Sequence, residues 1–193
     1  MKQHLKEKLE QIADRIQRGL DILDNEDHCL LGEFEHIKES FIQIESIAST
    51  FYLNCYLSAY TDKYSDLSIS IQNLAQRRHG ALIVVERSDP VDPFIQPGIA
   101  LGAQVTAPLL ESIFYPGNPL HDGAVLIRSN QIISVRNILP LASRAQVSKG
   151  MGTRHRAAIG LTEQTDAIVM VVSEETGRAS FANRGNIYPV ISP

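Results

Sequence analysis

The sequence predicts an α/β domain, a mixed central β-sheet flanked by helices, preceded by an N-terminal helical hairpin. Three observations predict it. The front of the chain carries apolar side chains at helical spacing. From residue 81 onward apolar residues gather instead into short continuous runs. Helical segments and a strand hairpin fall between those runs. Helices alternating with strands, hairpins among them, are the pattern of a mixed sheet covered by helices.

The elements follow in order. Leu5, Leu9, Ile12, Ile16, Leu20 and Leu23 step by three or four and form one apolar stripe on a first helix. Asp24-Asn25-Glu26-Asp27 breaks the stripe and reads as a turn. Leu30, Phe34, Ile37, Phe41, Ile44, Ala48 and Phe51 make a second stripe, with the heptad spacing that suits helix-on-helix packing. The two helices are expected to pair antiparallel. Two helices bury little, so their stripes need a further partner, either the rest of the chain or another copy. The boundary falls near residues 60–65, which gives a helical hairpin over 1–62 and a second domain over 63–193. A third helix is expected over 66–78, with Leu67, Ile71 and Leu74 inward and Ser65 as its cap.

The period then switches. Ala81-Leu82-Ile83-Val84-Val85 reads as a strand buried on both faces. Residues 89–98, rich in proline, read as a loop. Thr106 can cap a short helix through Ile113. Residues 124–128 and 132–139 read as two strands joined at Ser129-Asn130. Residues 153–162 read as helix, 167–173 as another buried strand, and Glu175-Thr176-Gly177 as a turn into a last strand over 179–182.

Composition narrows the function. The 193 residues are 44% hydrophobic, enough for a core and too many for a disordered chain. The net charge of -4 argues against a protein that wraps nucleic acid. Cys29 and Cys55 lack metal-ligand spacing, and both lie in the helical front, away from any catalytic pattern. No apolar run approaches the ~20 residues of a membrane span, and the polar start MKQHLKEKLEQ is unlike a signal peptide. A cytoplasmic protein with no membrane partner is expected.

The mean charge hides an asymmetry. Residues 1–65 hold seven Lys/Arg and twelve Asp/Glu, whereas 66–193 hold eleven and ten. From Gly123 to Thr162 there is no acidic residue, while Arg128, Arg136, Arg144, Lys149, Arg154 and Arg156 all fall there. Such a stretch is either a solvated basic face or a site for a phosphate-bearing ligand.

Three clusters could carry chemistry. His121-Asp122-Gly123-Ala124 sets a carboxylate beside small residues at the start of a strand. There it could accept a proton or hold a divalent cation, or simply serve as a turn. Gly150-Met151-Gly152-Thr153-Arg154-His155-Arg156 opens a helix. Free N–H groups, a hydroxyl and two guanidinium groups suit phosphate there, although a capped helix with exposed arginines is the plainer reading. It is not a Walker motif, whose glycine–lysine spacing is missing. Ser173-Glu174-Glu175 ends a buried strand, where ligands meet open sheets, and is equally good turn material.

Together these clusters resemble the diadenylate cyclase domain. The resemblance runs over about residues 66–186. It is carried by Pro119-Leu120-His121-Asp122-Gly123-Ala124-Val125 and Gly152-Thr153-Arg154-His155-Arg156-Ala157-Ala158, which hold the family's Asp-Gly-Ala and Arg-His-Arg signatures in order. Gly80-Ala81-Leu82-Ile83, Leu139-Pro140-Leu141 and Val172-Ser173-Glu174-Glu175-Thr176-Gly177 agree.

The resemblance implies a nucleotidyltransferase that condenses two ATP into cyclic di-AMP, a second messenger, with manganese or magnesium and with two domains facing each other. It implies Asp122, Arg154, His155 and Arg156 as catalytic residues. Asp122 would help deprotonate the ribose 3′-hydroxyl, and Thr153 through Arg156 would bind phosphates. Gly123, Ala124 and Leu139 would line the nucleotide, Leu139 at the adenine. Ser173 and Glu174 would lie near phosphates or metal, and His121 and Asp122 would be metal ligands. Two N-terminal helices without a membrane anchor resemble the sporulation-associated branch of Bacillus-type bacteria. In that branch homo-oligomers built on dimers, hexamers among them, restrain activity. Gly102 stands where the family is expected to carry Asn or Asp, and Ala142 interrupts Leu-Pro-Leu-Ser. The alternative reading is a nucleotide-binding, self-associating regulator with negligible turnover.

Overall fold

The structure is a computed structural model that describes residues 2–23, 30–142 and 151–190. In chain order its elements are α1 (Lys2–Leu23), α2 (Leu31–Ser58), α3 (Tyr64–Gln76), β1 (Ala81–Val85), a 3-10 turn (Asp92–Phe94), β2 (Ile99–Gln104), α4 (Ala107–Ile113), β3 (Ala124–Arg128), β4 (Gln131–Asn137), α5 (Thr153–Thr162), β5 (Ile168–Val172), β6 (Ala179–Asn183) and β7 (Asn186–Val190).

Five apolar residues in a row can all be buried only where a strand is covered on both sides. That holds for β1 and β5, every residue of which is buried. They lie side by side in the middle of a seven-stranded sheet ordered β2-β4-β3-β1-β5-β6-β7. β1 and β3 pair parallel, and the other neighbours pair antiparallel, so the sheet is mixed.

Alternate side chains of the central strands feed two cores. Ala81, Ile83, Val85, Ile168 and Met170 pack with Leu67, Ile71 and Leu74 of α3, Leu110 of α4, and Leu53 and Leu57 from the end of α2. Leu82, Val84, Val169 and Val171 pack on the other face with Ala157, Ala158 and Leu161 of α5 and with Leu139. Each fully buried aliphatic side chain stabilises this arrangement by about 1.5–3 kcal/mol before conformational entropy is counted. The result is helices on both faces of one sheet.

The chain divides into two compact units, Met1–Tyr52 and Leu53–Pro193. The division lies inside α2, earlier in the chain than residue 62, because Leu53 and Leu57 are core residues of the sheet-bearing unit. In the first unit Ile12 and Ile44 are buried, and Arg15 reaches Glu33 at 3.9 Å. Leu9, Ile16, Leu20, Phe34 and Phe41 from the two apolar stripes remain exposed.

Several local expectations change. Ser65 is not the cap of α3. The helix starts two residues earlier, at Tyr64, with Lys63 at the N-cap position and no side-chain cap bond. Two strands join the sheet unannounced. β2 is an exposed edge strand, and β7 follows the strand expected to be last. The proline-rich segment contains the short 3-10 turn. Thr106 caps α4 as expected, its Oγ1 accepting from the Leu109 N–H at 3.4 Å. The turn at Asp24-Asn25-Glu26-Asp27 lies outside the described residues, as do Cys29, Arg144, Lys149 and Gly150.

Candidate active site

One end of the sheet gathers the chemistry. β1 and β3 begin there, while β4 and β5 end there, because they run antiparallel to them. The N-terminus of α5 points to the same end. A cavity of about 980 Å³ opens between these pieces, and its lining includes Asp122, Gly123, Leu139, Thr153, Arg154, His155, Ser173 and Glu174. Three clusters far apart in sequence therefore share one site.

The start of α5 is built for an anion. Gly152 is its N-cap, with no side-chain cap bond and no acidic residue in the first turn. The first N–H groups of such a helix have no partner inside it and carry the positive end of its dipole. Arg154 and Arg156 would oppose that dipole unless an anion is present. Arg154 Nη1 is held 2.8 Å from Glu174 Oε2. The pair crosses Gly80, where an added Cβ would lie 2.6 Å from Arg154 Nη1 and 2.9 Å from Glu174 Oε2, so a side chain there would push the pair aside. Burial, with Arg154 beside it, lowers the pKa of His155 from its usual 6.5, so the ring is neutral at pH 7. Arg156 Nε is buried without a hydrogen-bond partner among the described residues.

Asp122 is exposed at the cavity mouth, just before a forced turn. Gly123 has φ +96, and an added Cβ would lie 2.8 Å from the Arg136 Cα, so the turn presses against β4. At the far side, residues 173–178 form a tight turn. The Ser173 Oγ accepts from the Thr176 N–H at 3.3 Å, and the Gly177 N–H donates to the Ser173 carbonyl at 2.9 Å. Apolar walls come from Leu82, Ile138, Leu139 and Ala157.

Some expected residues stand elsewhere. Ala124 is fully buried and outside the lining, and Arg156, partly buried, is outside it too. His121 is also outside it, with Nδ1 2.6 Å from the Asn118 carbonyl. A carbonyl only accepts, so Nδ1 is the ring nitrogen that donates there, and Nε2 is the one left for another partner. The acid-free stretch is not uniformly turned to the site. Arg128, at the other end of β3, bonds Glu86 at 2.6 and 3.0 Å and also reaches Asp92, contacts that raise its pKa further.

Asn137 and Arg178 line the cavity without having been expected there, and so does Arg136, which the sequence offers only as one member of the acid-free basic stretch. An asparagine among strand apolar residues was the available signal for Asn137. Arg136 and Arg178 line the cavity and make no ion pair with another described residue. A more open groove of about 740 Å³ at the C-terminal end of α5 is lined by Asp89, Glu163 and Asp166, which suits phosphate poorly. Among the described residues no three His, Cys, Asp or Glu side chains stand together to hold a metal, and no helix is long and apolar enough to cross a membrane.

The family described as DisA bacterial checkpoint controller nucleotide-binding matches residues 68–187, and that described as diadenylate cyclase CdaS, N-terminal, matches residues 1–60. The chain is similar to the diadenylate cyclase CdaS of Bacillus thuringiensis, at 49% identity over 98% of this chain and 96% of that protein. It is similar to the cyclic di-AMP synthase CdaS of Bacillus subtilis, at 49% identity over 96% of this chain and 89% of that one. Among solved structures it resembles a Bacillus cereus protein described as a hypothetical membrane spanning protein, with TM-score 0.82, 49% identity, and coverage of 98% of this chain and 93% of that one. It also resembles a double mutant of DacA from Staphylococcus aureus, with TM-score 0.63, 41% identity, and coverage of 66% and 85%. Gly102, unusual by family expectation, has φ +66 beside a bulge in β2, a conformation that Asn, Asp and Gly share most easily.

Proposed function

The chain belongs to the diadenylate cyclase family, and we propose from that membership and from its site that it condenses two ATP molecules into cyclic di-AMP. In each half-reaction a ribose 3′-oxygen bonds to the α-phosphorus of the other nucleotide, and the bond from that phosphorus to the β-phosphate's bridging oxygen breaks. Two pyrophosphates leave. The observation that carries this reading is the convergence of Asp122, the α5 N-terminus and Ser173-Glu174 on one cavity of about 980 Å³.

Such a transfer needs in-line placement and neutralised charge more than covalent help from the protein. Leu139, with Leu82 and Ile138 beside it, would take the adenine. Thr153, Arg154, His155 and the free N–H groups of α5 would bind the triphosphate, with Arg156 behind them and Ser173 and Glu174 at its side. A neutral His155 can donate one hydrogen bond without adding charge. Asp122 would accept the proton of the attacking hydroxyl. One cavity takes one ATP, so the reaction needs a second copy facing the first.

The donor set fits a hard divalent cation, manganese or magnesium, that arrives on the nucleotide. Such ions bind through one or two carboxylates plus phosphate oxygens rather than a full protein cage. Asp122 would hold it, and His121 would contribute through Nε2. The ion would lower the barrier to ionising the hydroxyl and stabilise the leaving pyrophosphate.

The exposed apolar residues of α1 and α2 support self-association. In this reading residues 1–62 form an assembly element that holds subunits in an unproductive arrangement, and the protein works in the cytoplasm. Full-length chain incubated with ATP and manganese should yield cyclic di-AMP and pyrophosphate. Nucleotide binding without pyrophosphate release would mark the regulator reading instead.

A further inference from the structure

Asn137, the last residue of β4, is 1% exposed, and both ends of its side-chain amide are hydrogen-bonded. Its Oδ1 accepts from the Gly98 N–H at 3.1 Å and from the Ser134 hydroxyl at 2.9 Å. Its Nδ2 donates to the Ala124 carbonyl at 2.9 Å. These three partners lie on different parts of the site's scaffold: the loop before β2, the body of β4, and the first residue of β3.

The backbone around Asn137 explains why an amide is needed there. The β3–β4 ladder is irregular between Ala124 and Leu126, so regular strand pairing lapses where the Asp122-Gly123-Ala124 turn begins. Arg136, just before Asn137, has φ +62, uncommon for a residue with a side chain. Bulges of this kind re-aim side chains next to active sites and persist only where the surroundings over-determine them. Gly123 and Gly98 both press on this segment. Added Cβ atoms would lie 2.8 Å from the Arg136 Cα and 2.0 Å from the Val135 carbonyl oxygen. A side chain that both accepts and donates can join those pieces where the ladder does not.

We propose that Asn137 is a positioning residue for the cyclase reaction. Its amide fixes the turn that presents Asp122. This rests on the diadenylate cyclase reading and deepens it. The Asn137 amide bonds the protein's own groups, so its effect would fall on the placement of Asp122 and not on nucleotide binding at α5.

The test compares the full-length wild type with Asn137→Asp and Ser134→Ala. Asn137→Asp keeps the shape and the acceptors but loses the donor to Ala124. Ser134→Ala removes one of the three bonds and is mild enough to fold. Three quantities are read: the rate of cyclic di-AMP formation with ATP and manganese, the affinity for 3′-deoxy-ATP, which lacks the attacking hydroxyl, and the melting temperature. We expect the rate to fall by about 10–100-fold in Asn137→Asp and severalfold in Ser134→Ala, since small misplacement of a reacting group costs rate on that scale. Affinity for 3′-deoxy-ATP should stay within about threefold of wild type. Rates unchanged in both variants overturn the role while leaving the cyclase reading intact. Rate and affinity lost together, in proportion to unfolded protein, reduce Asn137 to a purely structural residue and also overturn it. A wild type that makes no product overturns the cyclase reading and this role with it.

Discussion

Replacing Gly123 with alanine separates two costs that usually come together. The first is conformational. Gly123 has φ +96, where an L side chain is strained by about 1–3 kcal/mol. The second is steric. The new Cβ would meet the Arg136 Cα at 2.8 Å, its carbonyl carbon at 2.9 Å and the Asn137 carbonyl oxygen at 3.0 Å. All three are backbone atoms, which cannot rotate away, and overlap of this kind costs a further ~1–3 kcal/mol. Gly117 supplies the control. Its φ is +89, and nothing lies within 4 Å of its added Cβ, so Gly117→Ala carries only the conformational cost. The effect of alanine on the unfolded chain is common to both and cancels. Gly123→Ala should therefore melt below Gly117→Ala by the steric part, at about 2–4 °C for each kcal/mol. It should also lose turnover, because the shifted turn carries Asp122, whereas Gly117→Ala keeps it. Thermal unfolding and product formation on the two variants decide the matter. Equal melting temperatures would refute the claim that the turn is held by backbone contact with β4.

Other outcomes follow from the same contacts. Arg128→Met leaves Glu86, 14% exposed, without its bidentate partner and should destabilise the protein by about 1–3 kcal/mol in thermal unfolding, with little effect on nucleotide affinity. His155 has a folded pKa below its usual 6.5, so the unfolded chain binds the proton first. Its contribution to stability is complete above about pH 6.5 and is lost as pH falls through the folded value. A pH series of melting temperatures should lose part of its acid slope in His155→Gln. A chain lacking residues 1–48 keeps Leu53 and Leu57, whereas one lacking 1–60 loses both from the core. The shorter deletion should stay folded, change assembly size and raise turnover, and the longer one should melt lower. Sizing, turnover and melting of the two chains check this.

The sheet was legible where burial is total. β1 and β5 announce themselves because only central strands tolerate unbroken apolar runs. Edge strands give no such signal. β2, Ile-Ala-Leu-Gly-Ala-Gln, is exposed, contains a bulged glycine and follows a proline-rich loop, while β7 carries Pro189, which strands admit chiefly at edges. The reach of α2 past Phe51 was hidden because its last turns change partner, from the helical unit to the sheet. In the site, Asp122 and Arg154 stood out because their neighbours are glycines and a helix start. Arg136 was legible only as one of six cations in the acid-free stretch, and Asn137 looked like an ordinary strand residue, since a bulge lies beside them and leaves no mark in the spacing. The acid-free stretch overstated the site's charge, because Arg128 is spent on Glu86 and Asp92. It also left out Arg178, which lines the cavity from beyond the stretch.

The central claim is that the cavity holding Asp122 and the α5 N-terminus joins two ATP molecules into one cyclic product. The most direct test is to quantify cyclic di-AMP and pyrophosphate from wild type and Asp122→Asn with ATP and manganese. Two pyrophosphates are expected for each cyclic di-AMP in the wild type. In the variant turnover should fall by at least about 100-fold at an unchanged melting temperature. A wild type that binds ATP yet releases no pyrophosphate, or an Asp122→Asn variant with undiminished turnover, would contradict it.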